Sequence, residues 1–449
     1  MSDDQLTTDN EQLPEGYKQT EIGVIPEDWE PNALGEIFQL GNGFSFKSEF
    51  FSSDGPIVLT PGNFKLEGGL YFNDKNTKRY SGSFPESTSF QKGDLLVVMT
   101  DLTPECNLLG KPAFVDSEEI ILHNQRIGKI HLLSENIDKQ FLYFLLLSNS
   151  YLKRIKEQAT GSTVRHTSNK SIYSVVLPIP QELEEQRSLA QALSDVDRLI
   201  AALEKAIAKK RAIKTATMQQ LLTGKKRLPG FGEGKDDRQT EVGLIPEDWV
   251  PTPLEKISAF ITKGSTPTTY GFSWVQDGIL FLRSECVSES GLDLSQSMFI
   301  SRRAHAVLNR SELRSGDILI TITGNVGRVV YLGNDFGVGN MNQHIARVRI
   351  ISDSAFSGFV YHFLTQSSVR RAFNVITTGQ AYPQISLKQV RDAVIPLPSL
   401  LEQRAIATVL SDMDGAIAAL ETRLAKTQAL KQGMMQALLT GRVRLKIEI

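Results

Sequence analysis

Two long stretches of the sequence place apolar residues at alternating steps of four and three, the spacing of a coiled-coil seam. They cover residues 181–224 and 399–441 and match each other without an insertion from Glu-Gln-Arg to Leu-Leu-Thr-Gly. Each stretch predicts a helix of roughly 60 Å, at about 1.5 Å per residue. The seam positions are Leu189, Leu193, Val196, Ile200, Leu203 and Ile207 in the first helix and Ile406, Leu410, Met413, Ile417, Leu420 and Leu424 in the second.

The ends of both stretches carry residues that suit helix caps. Ser399 and Glu402 have the spacing of a capping box. Gly224 and Gly441 stand where a left-handed glycine ends a helix. Because an apolar seam is unfavourable in water, we expect the two helices to pack against each other. Their connection through a body at one end favours an antiparallel pair. The alternative is that each helix packs on its own folded body.

A body with strand-like patterning precedes each helix. Each body opens with nearly the same segment, Glu-Ile-Gly-Val-Ile-Pro-Glu-Asp-Trp at 21–29 and Glu-Val-Gly-Leu-Ile-Pro-Glu-Asp-Trp at 241–249. Asp94 and Asp317 each follow a glycine and precede an apolar run, which predicts a turn that leads into a strand. The second run continues through a Gly-Asn-Val-Gly turn at 324–327, which predicts a hairpin.

These patterns divide the chain into a repeated arrangement of bodies and helices. The predicted segments are an N-terminal tail (1–20), a first body (21–180), a first helix (181–224), a linker (225–240), a second body (241–398), a second helix (399–441) and a C-terminal tail (442–449).

Composition is that of a globular protein, with 41% apolar and 22% charged residues. The formal net charge of −2 gives no global basic signature, so a nucleic-acid partner would have to bind local patches. Two cysteines without metal-ligand neighbours make a disulfide framework implausible. The polar N-terminus is no secretory signal, and the longest apolar run, residues 141–147, is too short for a bilayer. We therefore expect a cytoplasmic protein.

Motifs for catalysis are missing from the sequence. No phosphate-binding loop with its Lys-Ser/Thr is present, and the six histidines lack the spacing of a metal site. The Gly-Asn-Gly at 41–43 is too weak a signal for a methyl-donor site. Asp94 and Asp317 have no partner acid and lysine for nuclease chemistry, so turn aspartates are the better interpretation. These features favour a binding scaffold without an active site.

Taken together, the motifs resemble the specificity subunits of type I restriction–modification systems. The features that carry the resemblance are the Ile-Pro-Glu-Asp-Trp segments, the Pro-x-Pro followed by Glu-Gln-Arg at each helix start, and the Leu-Leu-Thr-Gly ends followed by basic residues. They occur in the expected order over essentially the whole chain.

The resemblance implies an α+β fold, in which two pseudo-twofold-related mixed α/β recognition domains are joined by an antiparallel two-helix coiled-coil spacer. It implies that each domain reads one half of a bipartite double-stranded DNA site. The partners would be two methyltransferase subunits and two restriction subunits. S-adenosylmethionine, ATP and Mg²⁺ would be bound by those partners, and this chain would hold no cofactor or metal.

Loops of the two bodies differ in sequence, which predicts two different half-sites and an asymmetric target. Arg, Lys, His, Asn and Gln are the side chains that read base edges or bind phosphates. The candidates are Asn63, Lys65, Asn124, Arg126, Arg165 and His166 in the first body and Lys263, Arg283, Arg328, Asn342, His344, Gln380 and Gln384 in the second.

Asn124-Gln125-Arg126 and Asn342-Gln343-His344 recur at matching positions before a strand-like run. For these residues the alternative is that the amide side chains bond the backbone of a buried turn. For the whole chain, two other functions compete with the specificity subunit. One is a bifunctional nuclease–methyltransferase, and the other is a coiled-coil interaction scaffold that does not bind nucleic acid.

Overall fold

The computed structural model describes residues 13–103, 105–234, 236–379 and 382–445. The described residues form two compact units. Unit 1 takes the chain as far as Leu203 and again from Arg423 onward, and unit 2 is Glu204–Thr422. Each unit therefore contains one predicted body together with part of each predicted long helix.

Short strands and short helices make up the body of unit 1. Its strands are β1 (Tyr17–Thr20), β2 (Gly23–Pro26), β3 (Trp29–Ala33), β4 (Phe38–Gly41), β5 (Phe51–Val58), β6 (Arg79–Tyr80), β7 (Leu95–Val98), β8 (Thr100–Asp101), β9 (Pro112–Phe114), β10 (Ile121–Leu122), β11 (Ile127–Leu132), β12 (Arg165–His166) and β13 (Val176–Pro180). Its helices are α1 (Leu34–Ile37), α2 (Lys139–Leu147), α3 (Asn149–Glu157), α4 (Asn169–Tyr173) and the start of α5 (Leu183–Leu221).

Unit 2 has a similar but not identical order of elements, with an additional short helix at Arg302–Val307 among its strands. Its strands are β14 (Asp237–Thr240), β15 (Gly243–Pro246), β16 (Val250–Pro253), β17 (Thr262–Lys263), β18 (Ile279–Leu282), β19 (Val287–Ser288), β20 (Gly291–Leu292), β21 (Met298–Ile300), β22 (Glu312–Arg314), β23 (Ile318–Thr321), β24 (Val329–Tyr331), β25 (Val338–Met341), β26 (Ile345–Val348) and β27 (Val394–Leu397). Its helices are α6 (Leu254–Ile257), α7 (Arg302–Val307), α8 (Ser357–Leu364), α9 (Ser367–Val375), α10 (Leu387–Arg391) and the start of α11 (Leu400–Leu438).

A four-stranded sheet lies at the centre of each unit, in the order β4-β11-β7-β9 in unit 1 and β17-β26-β23-β24 in unit 2. The apolar runs predicted as strands are β7 and β23, and every residue of both is buried. The hairpin predicted after β23 is confirmed, because β23 and β24 pair antiparallel. Asp94 accepts a hydrogen bond from the Gln91 amide and Asp317 from the Arg314 amide, both at 2.8 Å, so the turn interpretation of these acids is confirmed.

The repeated Trp segments and the Pro-x-Pro segments pair with each other in each unit. β3 pairs antiparallel with β13, and β16 pairs antiparallel with β27. Both pairs are two-stranded sheets, where proline costs little because edge strands need fewer backbone donors. Trp29 and Trp249 are fully buried, as expected for aromatic anchors.

The two long helices are confirmed, with ends slightly inside the predicted bounds. Gly224 and Gly441 have φ of +73° and +70°, which confirms the left-handed glycine after each helix. At the start of α11, the Ser399 hydroxyl accepts from the Glu402 amide at 3.3 Å. The Glu402 carboxylate binds Arg227 instead of completing the capping box, so only half of the predicted box forms.

Each unit pairs the start of one long helix with the end of the other, in antiparallel directions. In unit 1 Asp197 of α5 binds Lys431 of α11 at 2.6 Å. In unit 2 Asp414 of α11 binds Lys214 of α5 at 2.5 Å. All twelve predicted seam residues are buried or half-buried.

The first turns of each helix also pack on their own body, as the alternative proposed. In unit 1 the core around Trp29 includes Leu189 of α5 and Leu438 of α11. In unit 2 the core around Trp249 includes Ile406 of α11 and Leu221 of α5. Helix pairing and packing on the body are therefore two parts of the same core.

An ion-pair cluster closes the core of unit 1. Arg444 follows α11 and binds the buried carboxylate of Glu185 at 2.6 Å and Asp28 at 2.9 Å. The guanidinium also lies over the Trp29 ring, 5.8 Å from its centroid. The Trp29 indole N–H donates to Glu185 at 3.2 Å. The side-chain hydrogen bond from Arg444 holds the pKa of Asp28 below its usual value.

Unit 2 contains a corresponding ion-pair cluster, in which the buried Trp249 indole N–H, unlike that of Trp29, has no hydrogen-bond partner among the described residues. Arg227 follows α5 and binds Glu402 at 2.5 Å and Asp248 at 3.0 Å. Its guanidinium lies 5.5 Å from the centroid of the Trp249 ring. We call these two sets, Asp28/Trp29/Glu185/Arg444 and Asp248/Trp249/Glu402/Arg227, the arginine clamps.

Breaking one clamp should destabilise its unit. Glu402 is 1% exposed, and Glu402→Gln removes the buried negative charge that pairs with the Arg227 guanidinium. We expect a loss of roughly 3 kcal/mol in unfolding free energy. Urea denaturation of the full chain measures it. The control is Arg198→Ala, which removes an exposed pair with Asp195 and should cost below about 1 kcal/mol. Equal losses in both variants would contradict a stabilising role for the clamp.

A buried histidine in unit 2 gives the fold a dependence on pH. His362 is 1% exposed, and its Nε2 lies 3.1 Å from the Ser411 hydroxyl. Burial lowers its pKa to about 4, the carboxylate of Asp414 opposes this effect in part, and the charge of Lys214 adds to it. The His362 side chain binds a proton more readily in the unfolded chain than in the folded one. The contribution of neutral His362 to the free energy of unfolding is therefore complete above a pH of about 6.5 and is lost as the pH falls toward 4.

Replacing His362 should remove this dependence. The corresponding residue of unit 1 is the fully buried Phe144, so His362→Phe is the matched substitution. As the pH falls from 6 to 4.5, the unfolding free energy of the variant should rise relative to that of the native chain by about 1.4 kcal/mol per pH unit. Urea denaturation of both proteins across this range measures the difference, in which other titrating groups cancel. A difference that does not change with pH would refute the assignment.

Candidate nucleic-acid interface

Three backbone segments meet at the end of the central strand β7 in unit 1. The Met99 amide donates to the carbonyl of Arg126 at 2.9 Å, and the Thr167 amide donates to the carbonyl of Met99 at 3.0 Å. Thr100 pairs with His166 in the β8–β12 ladder. The surface formed by these segments is called the first edge here. It consists of residues 99–101, 124–126 and 165–167.

Unit 2 builds the same backbone arrangement at the end of β23. The Ile322 amide donates to the carbonyl of His344 at 2.9 Å, and the Ile385 amide donates to the carbonyl of Ile322 at 3.0 Å. A bridge joins Thr323 to Gln384. This second edge consists of residues 322–323, 342–344 and 383–385. The structure thus brings together Asn124, Arg126, Arg165 and His166 on one edge and Asn342, His344 and Gln384 on the other.

The asparagines of both edges hold the turn that presents their neighbours. Asn124 Oδ1 accepts from the Arg126 amide at 3.0 Å, and Asn342 Oδ1 accepts from the His344 amide at 3.1 Å. Both side chains are buried. The alternative given for these two asparagines, that they bond turn backbone, is therefore confirmed, and the prediction that they contact DNA is not supported.

A glycine packs against each of these turns. A Cβ atom added to Gly43 would lie 2.3 Å from the Asn124 carbonyl, and one added to Gly264 would lie 1.7 Å from the carbonyl of Met341. Both distances are far below van der Waals contact, so neither position accepts a side chain. Close backbone approach therefore explains the glycine at position 43 of the Gly-Asn-Gly segment.

Basic side chains dominate the first edge. Arg126 is exposed, and its guanidinium makes no hydrogen bond or ion pair with any described residue. His166 is also exposed, with Nδ1 3.1 Å from the Thr100 hydroxyl. Arg165 donates from Nη1 to the Gly161 carbonyl at 2.9 Å, and its buried Nε has no partner among the described residues. This edge therefore presents hydrogen-bond donors held on a fixed backbone.

The second edge presents a hydrogen-bonded relay and an aromatic ring. The Thr266 hydroxyl donates to Gln343 Oε1 at 2.6 Å, and Gln343 Nε2 lies 3.1 Å from His344 Nε2. Because an amide nitrogen only donates, His344 Nε2 accepts, and the ring carries its proton on Nδ1. Tyr382 lies 6.5 Å from the His344 ring and is 63% exposed. Gln384 is exposed beside them.

The loops after β7 and β23 differ in length and in how they are held. In unit 1 the fully buried carboxylate of Asp101 accepts from the amides of Thr103 at 2.8 Å, Leu108 at 2.5 Å and Leu109 at 3.2 Å. In unit 2 a tight turn replaces this longer loop, and the Thr321 hydroxyl accepts from the Arg328 amide at 3.0 Å. The two edges therefore have different neighbouring loops on matching backbones.

The remaining predicted residues are not among those that form the two edges, and some of them serve the fold. Asn63 is fully buried, and its amide bonds Thr60 and the carbonyl of Asn76 at 2.9 and 3.1 Å. The prediction that Asn63 contacts DNA is therefore wrong, because its side chain closes a turn. Arg283 donates to the carbonyl of Gln296 at 3.2 Å.

Two lysines and one further arginine remain at least partly exposed. Lys65 is exposed in a turn that closes on Gly69. Lys263 is exposed on β17, directly before the glycine that packs on the second edge. Arg328 is half-buried, and its Nε has no partner among the described residues. Gln380 lies outside the described residues.

The internal sequence repeat aligns Gln343 with Gln125. No sequence pattern assigns a function to Thr266, Thr100 or Tyr382. Thr100 and Tyr382 contact the predicted residues His166 and His344, and Thr266 contacts Gln343, so their roles appear only when distant segments meet in the fold. Over the described ranges, no group of three or more His, Cys, Asp or Glu side chains could hold a metal ion. No helix in that part of the chain is long and apolar enough to cross a membrane.

Comparison with known proteins identifies the family. The model of the type I restriction modification DNA specificity domain matches residues 26–213 and again residues 246–431. The specificity subunit of the type I restriction enzyme EcoBI from Escherichia coli is 27% identical over 434 residues, which cover 94% of this chain and 86% of the relative. The putative MjaX specificity subunit from Methanocaldococcus jannaschii is 27% identical over 443 residues, which cover 96% and 97%.

The fold agrees with this assignment. The crystal structure of a type I restriction–modification S subunit from M. genitalium aligns with a TM-score of 0.58 at 15% identity, over 93% of this chain and 96% of that one. The family model covers most of the chain and matches each half separately. The chain belongs to the family of type I restriction–modification DNA specificity subunits.

Proposed function

We propose that this chain selects the target of a type I restriction–modification complex by reading a bipartite, asymmetric DNA site. Unit 1 would read one part of the site through the first edge, and unit 2 the other part through the second edge. The observation that carries the proposal is that one backbone arrangement occurs in both units with different side chains on it. Repetition of the frame supports a shared task, and the different side chains support different sequences.

The chemistry of the edges suits base readout in the major groove. Arginine is the side chain that pairs best with the N7 and O6 acceptors of guanine. Of the two arginines on the first edge, Arg165 is half-buried and donates to Gly161, whereas Arg126 is exposed and its guanidinium has no partner among the described residues. On the second edge, the Nδ1–H of His344 would donate to a base acceptor, and the Gln384 amide would pair with adenine. These assignments give each half-site its own class of contact.

The long helices α5 and α11 each contribute to both units, and we propose that they form the spacer that sets the gap between the two half-sites. The chain itself would be non-catalytic. Two methyltransferase and two restriction subunits would bind it and would supply S-adenosylmethionine, ATP and Mg²⁺. The cytoplasm, where its DNA substrate and these cofactors occur, is the proposed location.

The edges can be tested by single substitutions in the complex with the methyltransferase subunits. Arg126→Ala should relax discrimination at one position of one half-site by about 1–3 kcal/mol, because one bidentate contact is lost. His344→Ala should relax a position in the other half-site. Gln343→Ala should relax that same position less strongly, because it only releases the His344 ring. Sequencing of methylated bases gives the motif of each variant.

Lys65→Ala is the matched control, because Lys65 is exposed but is not one of the residues that form the first edge. This variant should keep the native motif. Relaxation of the same half-site by Arg126→Ala and His344→Ala would refute the assignment of one half-site to each unit. An unchanged motif in both variants would refute the edges as the reading surface.

A further inference from the structure

An exposed phenylalanine in unit 2 lies close to two guanidinium groups. Phe260 is 62% exposed. The Cζ of Arg310 lies 5.3 Å from the centroid of its ring, and the Cζ of Arg391 lies 5.1 Å from it. An exposed ring with cations stacked on it holds those cations at defined positions on the surface. We call Phe260, Arg310 and Arg391 the guanidinium patch.

Hydrogen bonds fix both arginines of the patch. Arg310 donates from Nε to the Thr262 hydroxyl at 2.9 Å. Arg391 donates from Nη2 to the Ile261 carbonyl at 3.0 Å. In the described part of the chain, neither guanidinium forms an ion pair with a carboxylate, so each keeps N–H donors for an external anion. Side chains that are already ordered lose little entropy when they bind.

The patch lies next to the strand that leads to the second edge. Phe260 precedes β17, whose Lys263 pairs with Ala346 of β26. The next residue, Gly264, donates its amide to the Asn342 carbonyl of the second edge at 3.1 Å. At about 3.3 Å per residue, the step from Phe260 to Lys263 is about 10 Å. A duplex bound at the second edge would therefore carry its sugar–phosphate backbone close to the patch.

Unit 1 has no such patch at the corresponding positions. Gln39 stands in the place of Phe260, and Tyr173 stands in the place of Arg391. The Tyr173 hydroxyl accepts from the Leu40 amide at 2.7 Å, which replaces the Arg391 bond to the neighbouring strand. The strand and helix are thus joined in both units, but only unit 2 joins them through a cation that also faces solvent. The difference supplies matched substitutions from the protein's own sequence.

We infer that the guanidinium patch binds backbone phosphates of the DNA duplex next to the half-site read by unit 2. This inference rests on the proposed function and adds a second contact surface to it. Planar guanidinium forks suit phosphate oxygens. Phosphate contacts set affinity and register without reading sequence. The patch therefore contributes to binding of any duplex, and the second edge contributes to the choice of sequence.

Salt dependence of DNA binding tests the patch. The complex of the full chain with the methyltransferase subunits is titrated with two labelled duplexes, one with the methylated motif and one without it, between 50 and 200 mM salt. Each phosphate contact adds about 0.9 to the slope of log affinity against log salt. Arg310→Ala and Arg391→Tyr should each lower the slope by about 1, and the double variant by about 2. Both duplexes should weaken by the same factor, and the methylated motif should not change.

Two further variants make the result specific. Arg302→Ala removes an exposed arginine of α7 outside the patch and should leave the slope unchanged. Phe260→Gln removes the ring but no charge, and should weaken binding while keeping part of the slope. Thermal melting of each complex shows whether the variant is folded.

The outcomes separate this inference from the proposed function. An unchanged slope in a double variant that still binds DNA overturns the patch as a phosphate site. A change in the methylated motif also overturns it, because the arginines would then read bases. Loss of methyltransferase association without loss of DNA contact would make the patch a protein surface, which again contradicts the inference. If the native complex shows no preference for its motif, the proposed function fails whatever the patch does.

Discussion

The arginine clamps are the contacts on which the rest of each unit depends. In unit 1 the clamp joins Asp28 near the start of the described chain, Glu185 at the start of α5 and Arg444 after the end of α11. Three segments far apart in sequence thus meet at one buried carboxylate beside Trp29. Since Arg227, Glu402, Asp248 and Trp249 repeat the contact in unit 2, each unit needs the end of a helix that begins in the other half of the sequence.

The central sheet of each unit connects this core to the edge of the same unit. β7 and β23 are fully buried and end at the first and second edges. A buried asparagine and a close-packed glycine fix the turn beside each strand end, so the frame does not depend on the exposed side chains. Exposed positions such as Arg126 and Tyr382 can therefore differ between units without a change of fold. Such a separation of the backbone frame from the exposed side chains is what a protein needs if its specificity is to vary.

The long helices, their glycine ends and the buried strands could be predicted from the sequence, because periodicity and turn residues act locally. The family could also be recognised, since its motifs keep their order along the chain. Individual contacts could not be predicted in the same way. The prediction that Asn63 contacts DNA was wrong, because an asparagine in a Pro-Gly-Asn turn is as well suited to capping that turn as to binding a base. The Thr266 relay and the patch at Phe260 depend on residues that meet only after folding.

The central claim is that each edge contacts its own part of a bipartite site, and photo-crosslinking tests it most directly. Benzoylphenylalanine placed at position 126 or 344 of the chain, in complex with the methyltransferase subunits, is irradiated on a duplex that carries the methylated motif. Crosslinks from position 126 should map to one half-site and those from position 344 to the other. Crosslinks from both positions in the same half-site, or outside the motif, would contradict the account.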